Sequence, residues 1–249
     1  MSVRRHPAAA ALVVRRLTPA DIPAVRRIFR ETLALGRPLP FPTQGLAAYE
    51  QLCLGWFLGP GWPDAGVLDD GAGIRGYVLV CTDLAAYRRW AARTAAAWAL
   101  ATAARLAAGR LRSDAARFHR LRLLDGLDTL RNGPPAPMPA LVHLNLDREL
   151  RGGLEGLRLA RHADARCLEA GLPGWYGEIN APLGARSAAL HRAGFQVVHR
   201  ARNQTLSWLA GRPVERLTVV RPLPAPALVA AATPPPPARP AARAAALEA

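Results

Sequence analysis

Polar and ionisable side chains alternate with apolar ones along two short segments of the sequence, 141–147 and 174–182. Such alternation predicts a strand with one polar and one apolar face. The polar residues are His143, Asn145, Asp147, Tyr176, Glu178 and Asn180. Burying them without partners would cost several kcal/mol each, so we expect both polar faces to line a wet cleft. Asp147 has a second interpretation, as the residue that ends its strand.

A glycine-rich turn, Arg151 to Gly156, follows the first of these segments and precedes apolar residues at helical spacing. A strand, a turn and a helix N-terminus together present unpaired N–H groups and the positive end of a helix dipole to an anion. Glycine allows close approach because it has no Cβ. The turn therefore predicts a phosphate site, with an ordinary loop as the alternative. Neither a dinucleotide-binding fingerprint nor a P-loop pattern occurs here.

The order of these segments resembles that of the GNAT superfamily of acyl-CoA-dependent N-acyltransferases. Its cofactor turn runs Arg or Gln, two residues, Gly, one residue, Gly or Ala, and Arg151 and Gly156 match the two ends. Leu154 replaces the middle glycine, and Glu155 adds a carboxylate to the turn. Further along, Ser187, Leu190, His191, Gly194 and Phe195 match the pattern S-x-x-L-H-x-x-G-F. The resemblance covers residues 11–82 and 138–222.

This resemblance implies a mixed α/β fold: a central, mostly antiparallel twisted sheet, flanked by helices, with strands 4 and 5 splayed apart. We expect them to diverge beyond Leu146 and Glu178. It also implies transfer of an acetyl or other acyl group from acyl-CoA, with acetyl-CoA as co-substrate, to an amine. The cofactor-binding residues implied are Leu146, Arg151, Gly152, Gly153, Leu154, Glu155, Gly156, Leu157, Ser187 and His191.

Acyl transfer to an amine needs a base for the ammonium proton, a donor for the oxyanion and a proton for the thiolate. Glu178 and His143 are the candidate bases, and a structural salt bridge and a core imidazole are their alternative roles. The resemblance implies that backbone N–H groups around Asn145 are the oxyanion donors. Tyr176 is the candidate acid, because Leu190 stands where many members have a tyrosine. A thiolate also leaves readily without an acid.

Glu155 argues against cofactor binding. A carboxylate ~4 Å from a phosphate costs about 4 kcal/mol at an effective dielectric of 20. If the side chain points to solvent beside Arg151 or Arg158, screening removes most of that cost. A non-catalytic binding domain of the same fold is therefore the alternative function.

Arginine supplies all 33 basic residues, lysine is absent, and the net charge is +15. Such a bias is typical of a GC-rich genome, although a basic surface also attracts polyanions, so an arginine-rich nucleic-acid-binding protein is the second alternative.

The three cysteines lack metal-ligand spacing, which predicts no metal site and buried thiols in a reducing cytoplasm. Apolar runs are too short to span a bilayer. We expect a soluble cytoplasmic protein whose partner is a small-molecule or peptide amine, not a membrane or nucleic acid. The sequence is also compatible with a homodimer.

The chain divides into one domain, 1–222, and a Pro/Ala-rich disordered tail, 223–249. Residues 1–9 are expected to form a loose arm. The domain carries an arginine-rich insertion, 83–137, which we expect to form two helices broken near Gly109. We favour an amphipathic pair covering the sheet edge over a lid or a surface for an acidic partner. Trp90 and Trp98 should then be buried, and the residues expected to be exposed are Arg88, Arg89, Arg110 and Arg112. Segment 38–64 is expected to be rich in loops. The last two strands are expected at 195–202 and 217–222, joined by a connection that contains Gly211 and Pro213.

Overall fold

The computed structural model describes residues 11–184 and 187–224. Expectations for an N-terminal arm and for a disordered tail fall almost wholly outside these ranges. The helices are α1 (Ile22–Thr32), α2 (Leu46–Leu54), α3 (Leu84–Ala107), α4 (Ser113–Asn132), α5 (Glu155–Glu169), α6 (Ser187–Arg192) and α7 (Gln204–Ala210). The strands are β1 (Val13–Arg16), β2 (Gly66–Asp69), β3 (Ile74–Cys81), β4 (Ala140–Leu146), β5 (Gly174–Pro182), β6 (Gln196–Arg202) and β7 (Val214–Pro222).

A seven-stranded sheet in the order β1-β2-β3-β4-β5-β7-β6 forms the centre of the fold. Neighbouring strands are antiparallel except β4 and β5, which run parallel. This is the mixed, mostly antiparallel sheet that the sequence predicted.

Two apolar layers cover the two faces of the sheet, which explains the alternation along β4. Val142 and Leu146 face α5 and pack with Leu159 and Ala163 of that helix. The opposite face carries His143 and Asn145 and is covered by α1 and α2. Residues that pack on that side include Val25, Ile28, Phe29, Leu54, Phe57 and Tyr77.

Helix α2 lies in a segment that the sequence patterns predicted to be rich in loops. Its Glu50 is buried, and an ion pair to Arg30 of α1, 2.6 Å from Nε to Oε2, together with a longer one to Arg26, holds it there. Because a buried carboxylate needs such partners, these pairs fix α2 against α1. Helix α7 was also missed, in the connection between β6 and β7.

The insertion forms two helices, α3 and α4, with the break near Gly109, as predicted. α3 packs on α2, and α4 packs on α7. The end of α4 also lies beside the edge strand β6, where Asp128 and Asn132 share a pocket with residues 199–202, so the predicted position at a sheet edge holds for this part of α4. Trp98 is buried, while Trp90 is only half-buried. The four arginines expected to be exposed are exposed. Within the described ranges, neither of these helices nor any other is long and apolar enough to cross a membrane.

Candidate active site

Strands β4 and β5 pair only at Ala140 with Trp175 and Leu141 with Tyr176, and they separate beyond those residues. The predicted splay is confirmed, but the predicted point of divergence, beyond Leu146 and Glu178, was wrong. Beyond the split, β4 stays paired with β3 up to Leu146, and β5 is paired with β7 along its whole length. Because each strand follows its own antiparallel partner in a twisted sheet, the two separate early and leave a wide gap.

This gap opens into a cleft with two lobes that share His143, Asn145, Glu178 and Asn180. The first lobe, about 330 Å³, lies beside the glycine turn and is lined by Gly152, Gly153 and Gly156, among others. The second, about 430 Å³, lies beneath the insertion. Its further lining includes Phe29, Tyr49, Cys53, Phe57, Tyr87, Arg122, Tyr176, Asn203 and Arg216. Both polar strand faces therefore line a cleft, as predicted.

The turn before α5 has the geometry of an anion site. Gly152 adopts φ +89°, in the left-handed region that favours glycine, and a side chain added there would meet nothing within 4 Å. The N–H groups of Leu157 and Arg158 donate to the carbonyl of Leu154. Amides just before Leu157 therefore lack an intrahelical acceptor, as at any helix N-terminus. The backbone of the turn therefore fits a phosphate group at this point.

Glu155 occupies part of this turn. Its carboxylate folds back over Gly153, so closely that a Cβ at residue 153 would collide with Oε2. One of the two arginines expected to screen it, Arg158, instead donates from Nη1 to the carbonyl of Leu12 at 2.9 Å. A negative charge therefore lies at the predicted phosphate position, although a side chain at the surface can rotate away.

Asn145 organises the end of β4 through a chain of hydrogen bonds. Its Nδ2 donates to Thr32 Oγ1 at 2.5 Å, and its Oδ1 accepts from the N–H of Leu146 at 3.1 Å and from the Arg151 guanidinium. Arg151 Nε also donates to the carbonyl of Leu146 at 3.1 Å. The N–H of Asp147 donates to Arg75 O, on the β3 side of β4. Because successive residues of a strand direct their backbone groups to opposite sides, the N–H and C=O of Leu146 point away from β3 and into the cleft. Leu146 thus offers an N–H donor inside the gap.

Asp147 belongs to the strand end and not to the cleft. Its Oδ2 accepts from Arg75 Nε at 2.8 Å, and it lines neither lobe. Of the two interpretations that the sequence left open, the structural one holds.

His143 lies among aromatic rings at the junction of the two lobes. The rings of Tyr77 and Phe29 meet it edge-on, with centroids 5.6 and 6.3 Å away, and Phe57 lies on another side at 6.4 Å. Desolvation in these surroundings lowers the pKa of His143 to about 4. The imidazole is therefore neutral at pH 7.

Glu178 and Tyr176 lie on the same face of β5, at the mouth of the second lobe. Glu178 is about half exposed, and its Oε1 lies 3.4 Å from Nε of Arg216, whose side chain is 14% exposed. Tyr176 is half-buried, and burial raises the pKa of its phenol. A carboxylate and a neutral phenol thus face the same gap.

Four of the implied cofactor-binding side chains do not line either lobe: Leu154, Glu155, Leu157 and His191. Leu154 is 70% exposed, Leu157 packs against the core beneath α5, and His191 is exposed on α6. The side chain of Ser187 lies outside the described part of the structure. These residues remain predictions from the superfamily pattern.

The sequence interpretation missed several cleft residues, above all Arg122 of α4 and Arg216 of β7. Arg122 belongs to a stripe at helical spacing with Ala115, Phe118 and Asp125, all three buried. An arginine in such a stripe is a detectable signal. Cys53, expected to be a buried thiol, is half-buried and lines the second lobe, and desolvation raises its pKa to about 11.

Comparison with solved structures finds proteins of one fold. The polyamine N-acetyltransferase of Drosophila melanogaster matches with a TM-score of 0.52 at 17% identity, over 86% of this chain and all of its own. The structure of SsHAT matches with a TM-score of 0.50 at 20% identity, over 85% of this chain and 98% of its own. A phosphinothricin acetyltransferase of the GNAT superfamily from Sinorhizobium meliloti, in complex with acetyl-CoA, matches with a TM-score of 0.49 at 20% identity. The match covers 85% of this chain and 88% of its own.

No protein-family model matches the sequence, and no curated protein does. The chain has the fold of the GNAT superfamily, as the sequence resemblance predicted.

Proposed function

We propose that the protein is an N-acetyltransferase that transfers the acetyl group of acetyl-CoA to an amine. The observation that carries this proposal is the gap between β4 and β5, which has an anion-binding turn on one side and a carboxylate on the other. A solvated groove of this kind, open at a helix N-terminus, suits a long phosphate-bearing co-substrate.

Acetyl-CoA would be held by the turn and by β4. The pyrophosphate would receive N–H groups of Gly153 and its neighbours and the positive end of the α5 dipole. Arg151 adds a cation beside the same lobe. When bound, acetyl-CoA supplies an activated thioester carbonyl in the gap.

Glu178 is the proposed base of the transfer. Its carboxylate attracts the ammonium form of an acceptor and takes its proton, so that the amine nitrogen can attack. His143 is the weaker candidate, because a proton on it would be a desolvated charge among aromatic rings, which lowers its pKa to about 4 and makes it a weak base. Arg216 keeps the Glu178 carboxylate directed at the gap.

Leu146 and Tyr176 would complete the reaction. The Leu146 N–H donates to the oxyanion that forms on the carbonyl, in exchange for its hydrogen bond to Asn145. Asn145 therefore acts as a positioning residue. Tyr176 can return a proton to the thiolate, because its raised pKa keeps the phenol protonated.

A second candidate function is a non-catalytic domain that binds a different anion in the same cleft. Leu154 in place of a glycine and the carboxylate of Glu155 over Gly153 favour it.

Release of free thiol from acetyl-CoA in the presence of pooled amines, confirmed by mass spectrometry of an acetylated amine, separates the two functions. Amine-dependent release supports the transferase. No binding of acetyl-CoA, and no acetylated product from any amine, would support the non-catalytic domain.

A further inference from the structure

The second lobe is walled by the insertion as well as by the common fold. Tyr87 of α3 and Arg122 of α4 both line it. Tyr49 of α2 also lines it and packs its ring against Trp98 at 5.8 Å and edge-on against Phe118 at 5.6 Å. The insertion thus shapes the space opposite the co-substrate lobe, where an acceptor would lie.

Arg122 presents a guanidinium to this lobe that its own surroundings do not satisfy. Its side chain is 15% exposed, and Nε is buried with no hydrogen-bond partner among the described residues. The guanidinium lies over the rings of Tyr49 and Phe118, at 5.5 and 5.6 Å. An arginine held in this way is preorganised to bind an anion through several N–H donors.

Asp125 forms an ion pair with Arg122 but gives it no hydrogen bond. The nearest approach is 4.0 Å, from Nη1 to Oδ2, which is too long for a hydrogen bond. Both carboxylate oxygens are engaged at the start of α7: Oδ1 accepts from the N–H of Gln204 at 2.8 Å, and Oδ2 from Thr205 Oγ1 at 2.6 Å.

The charged side chains that line the lobe are two arginines and one carboxylate, while Asp125, the ion-pair partner of Arg122, does not line it. Arg122 and Arg216 face the single carboxylate of Glu178. The other ionisable lining groups are neutral at pH 7, because desolvation lowers the pKa of His143 to about 4, raises that of Cys53 to about 11 and raises that of each tyrosine. A second cation on the acceptor would meet repulsion here, whereas an anion would find a donor.

Resting on the proposed transferase activity, we infer that the acceptor is an amine that also bears an anionic group, a carboxylate or an equivalent oxyanion, which Arg122 binds. The body of the acceptor is apolar or aromatic, since rings of Phe29, Tyr49 and Phe57 form much of the remaining wall. A diamine would place its second ammonium group beside the Arg122 guanidinium, so we expect diamines and polyamines to be poorer acceptors.

Matched acceptors that differ only at the far end test this inference. 6-Aminohexanoate, hexylamine and 1,6-diaminohexane carry a negative, neutral and positive terminus, and phenylalanine with phenethylamine is a second pair at shorter spacing. For the purified full chain, kcat/KM should be highest for the amino acid of a series, lower for the neutral amine and lowest for the diamine. For the better of the two acids, kcat/KM should be at least about tenfold above that of its neutral partner. A preference for the diamine or for the neutral amine in both series would overturn the inference.

Arg122→Gln should raise KM for the acid about tenfold or more and leave the neutral amine within about twofold. Arg122→Lys should restore part of the preference. Arg120→Gln, on the exposed side of α4, is the matched control and should change neither. Equal loss for acid and neutral amine in Arg122→Gln would contradict a direct contact.

Calorimetry with the acids and with acetyl-CoA, each titrated alone into the protein, distinguishes failure of this inference from failure of the proposed function. Acid binding that Arg122→Gln abolishes supports the inference even if acetyl-CoA does not bind. Acetyl-CoA binding without binding or turnover of any acid overturns the inference and leaves the transferase proposal intact.

Discussion

At the scale of single residues, His143 shows how the side chains around an ionisable group determine its protonation state. Sequence alternation placed it on the polar face of β4, and a basic role was one of two interpretations. Three aromatic neighbours make it a neutral imidazole at pH 7. Those neighbours come from α1, β3 and the segment after α2, so no local pattern around residue 143 could have identified them.

Acid should therefore destabilise the protein partly through His143. In the unfolded chain its pKa is about 6.5, and in the fold it is about 4, so the unfolded state binds more protons between these values. Stability is full above pH 6.5 and falls as the pH drops to about 4, by at most about 3 kcal/mol.

Urea unfolding at pH 7 and pH 5 of wild type, His143→Phe and the exposed-site control His191→Phe measures this contribution. His143→Phe should lose part of the acid sensitivity, and the control should retain it. An unchanged difference between the two pH values in His143→Phe would contradict the burial argument.

Glu178→Gln removes the proposed base without removing a contact to the cofactor turn. We expect kcat to fall by about 10²–10⁴-fold, with the Kd for acetyl-CoA within about threefold of wild type. Steady-state kinetics and titration calorimetry measure the two values. Glu31→Gln, at an exposed carboxylate of α1, is the control, and undiminished turnover in Glu178→Gln would assign the base elsewhere.

At the scale of elements, local signals predicted those parts of the site that adjoin in sequence. β4, the glycine turn and α5 follow one another, and their periodicities are visible within 141–167. α2 and α7 have only 9 and 7 residues, too short for a clear period. The point where β4 and β5 part depends on β3 and β7, which are distant in sequence.

The turn before α5 permits a test at Glu155. Because its carboxylate lies over Gly153, Glu155→Gln should tighten acetyl-CoA by removing a like charge beside the pyrophosphate, by about threefold or more. Glu169→Gln, near the other end of the same helix and also partly exposed, should have no effect. Equal affinity in wild type and Glu155→Gln would mean that the carboxylate rotates away when the ligand binds.

The junction of α4 and α7 depends on Asp125. Asp125→Ala removes the acceptor for two backbone N–H groups and one hydroxyl, so we expect a loss of about 2–3 kcal/mol in the free energy of unfolding. Asp128→Ala, one turn along α4 and bonded only to Asn132 in the described structure, should change it by less than about 0.5 kcal/mol. Chemical denaturation of both variants makes the comparison.

At the scale of the whole molecule, the insertion is part of the domain. α3 packs on α2, α4 packs on α7, and their side chains reach the same cleft as β4 and β5. Its arginines look alike in composition, and Arg122 is separated from its exposed neighbours by its place in the stripe of α4 that packs inward. The composition could not reveal this, since 33 arginines and a charge of +15 suit any polyanion.

That charge also determines the control needed for the central claim, because a basic protein binds many anions weakly and in a salt-dependent way. Titration calorimetry of the full chain with acetyl-CoA at about 0.15 M salt, beside ADP and inorganic pyrophosphate, tests the claim most directly. The account predicts one saturable site for acetyl-CoA with a Kd between about 1 µM and 1 mM, clearly tighter than either smaller anion. No saturable heat, or equal affinity for all three, would contradict it.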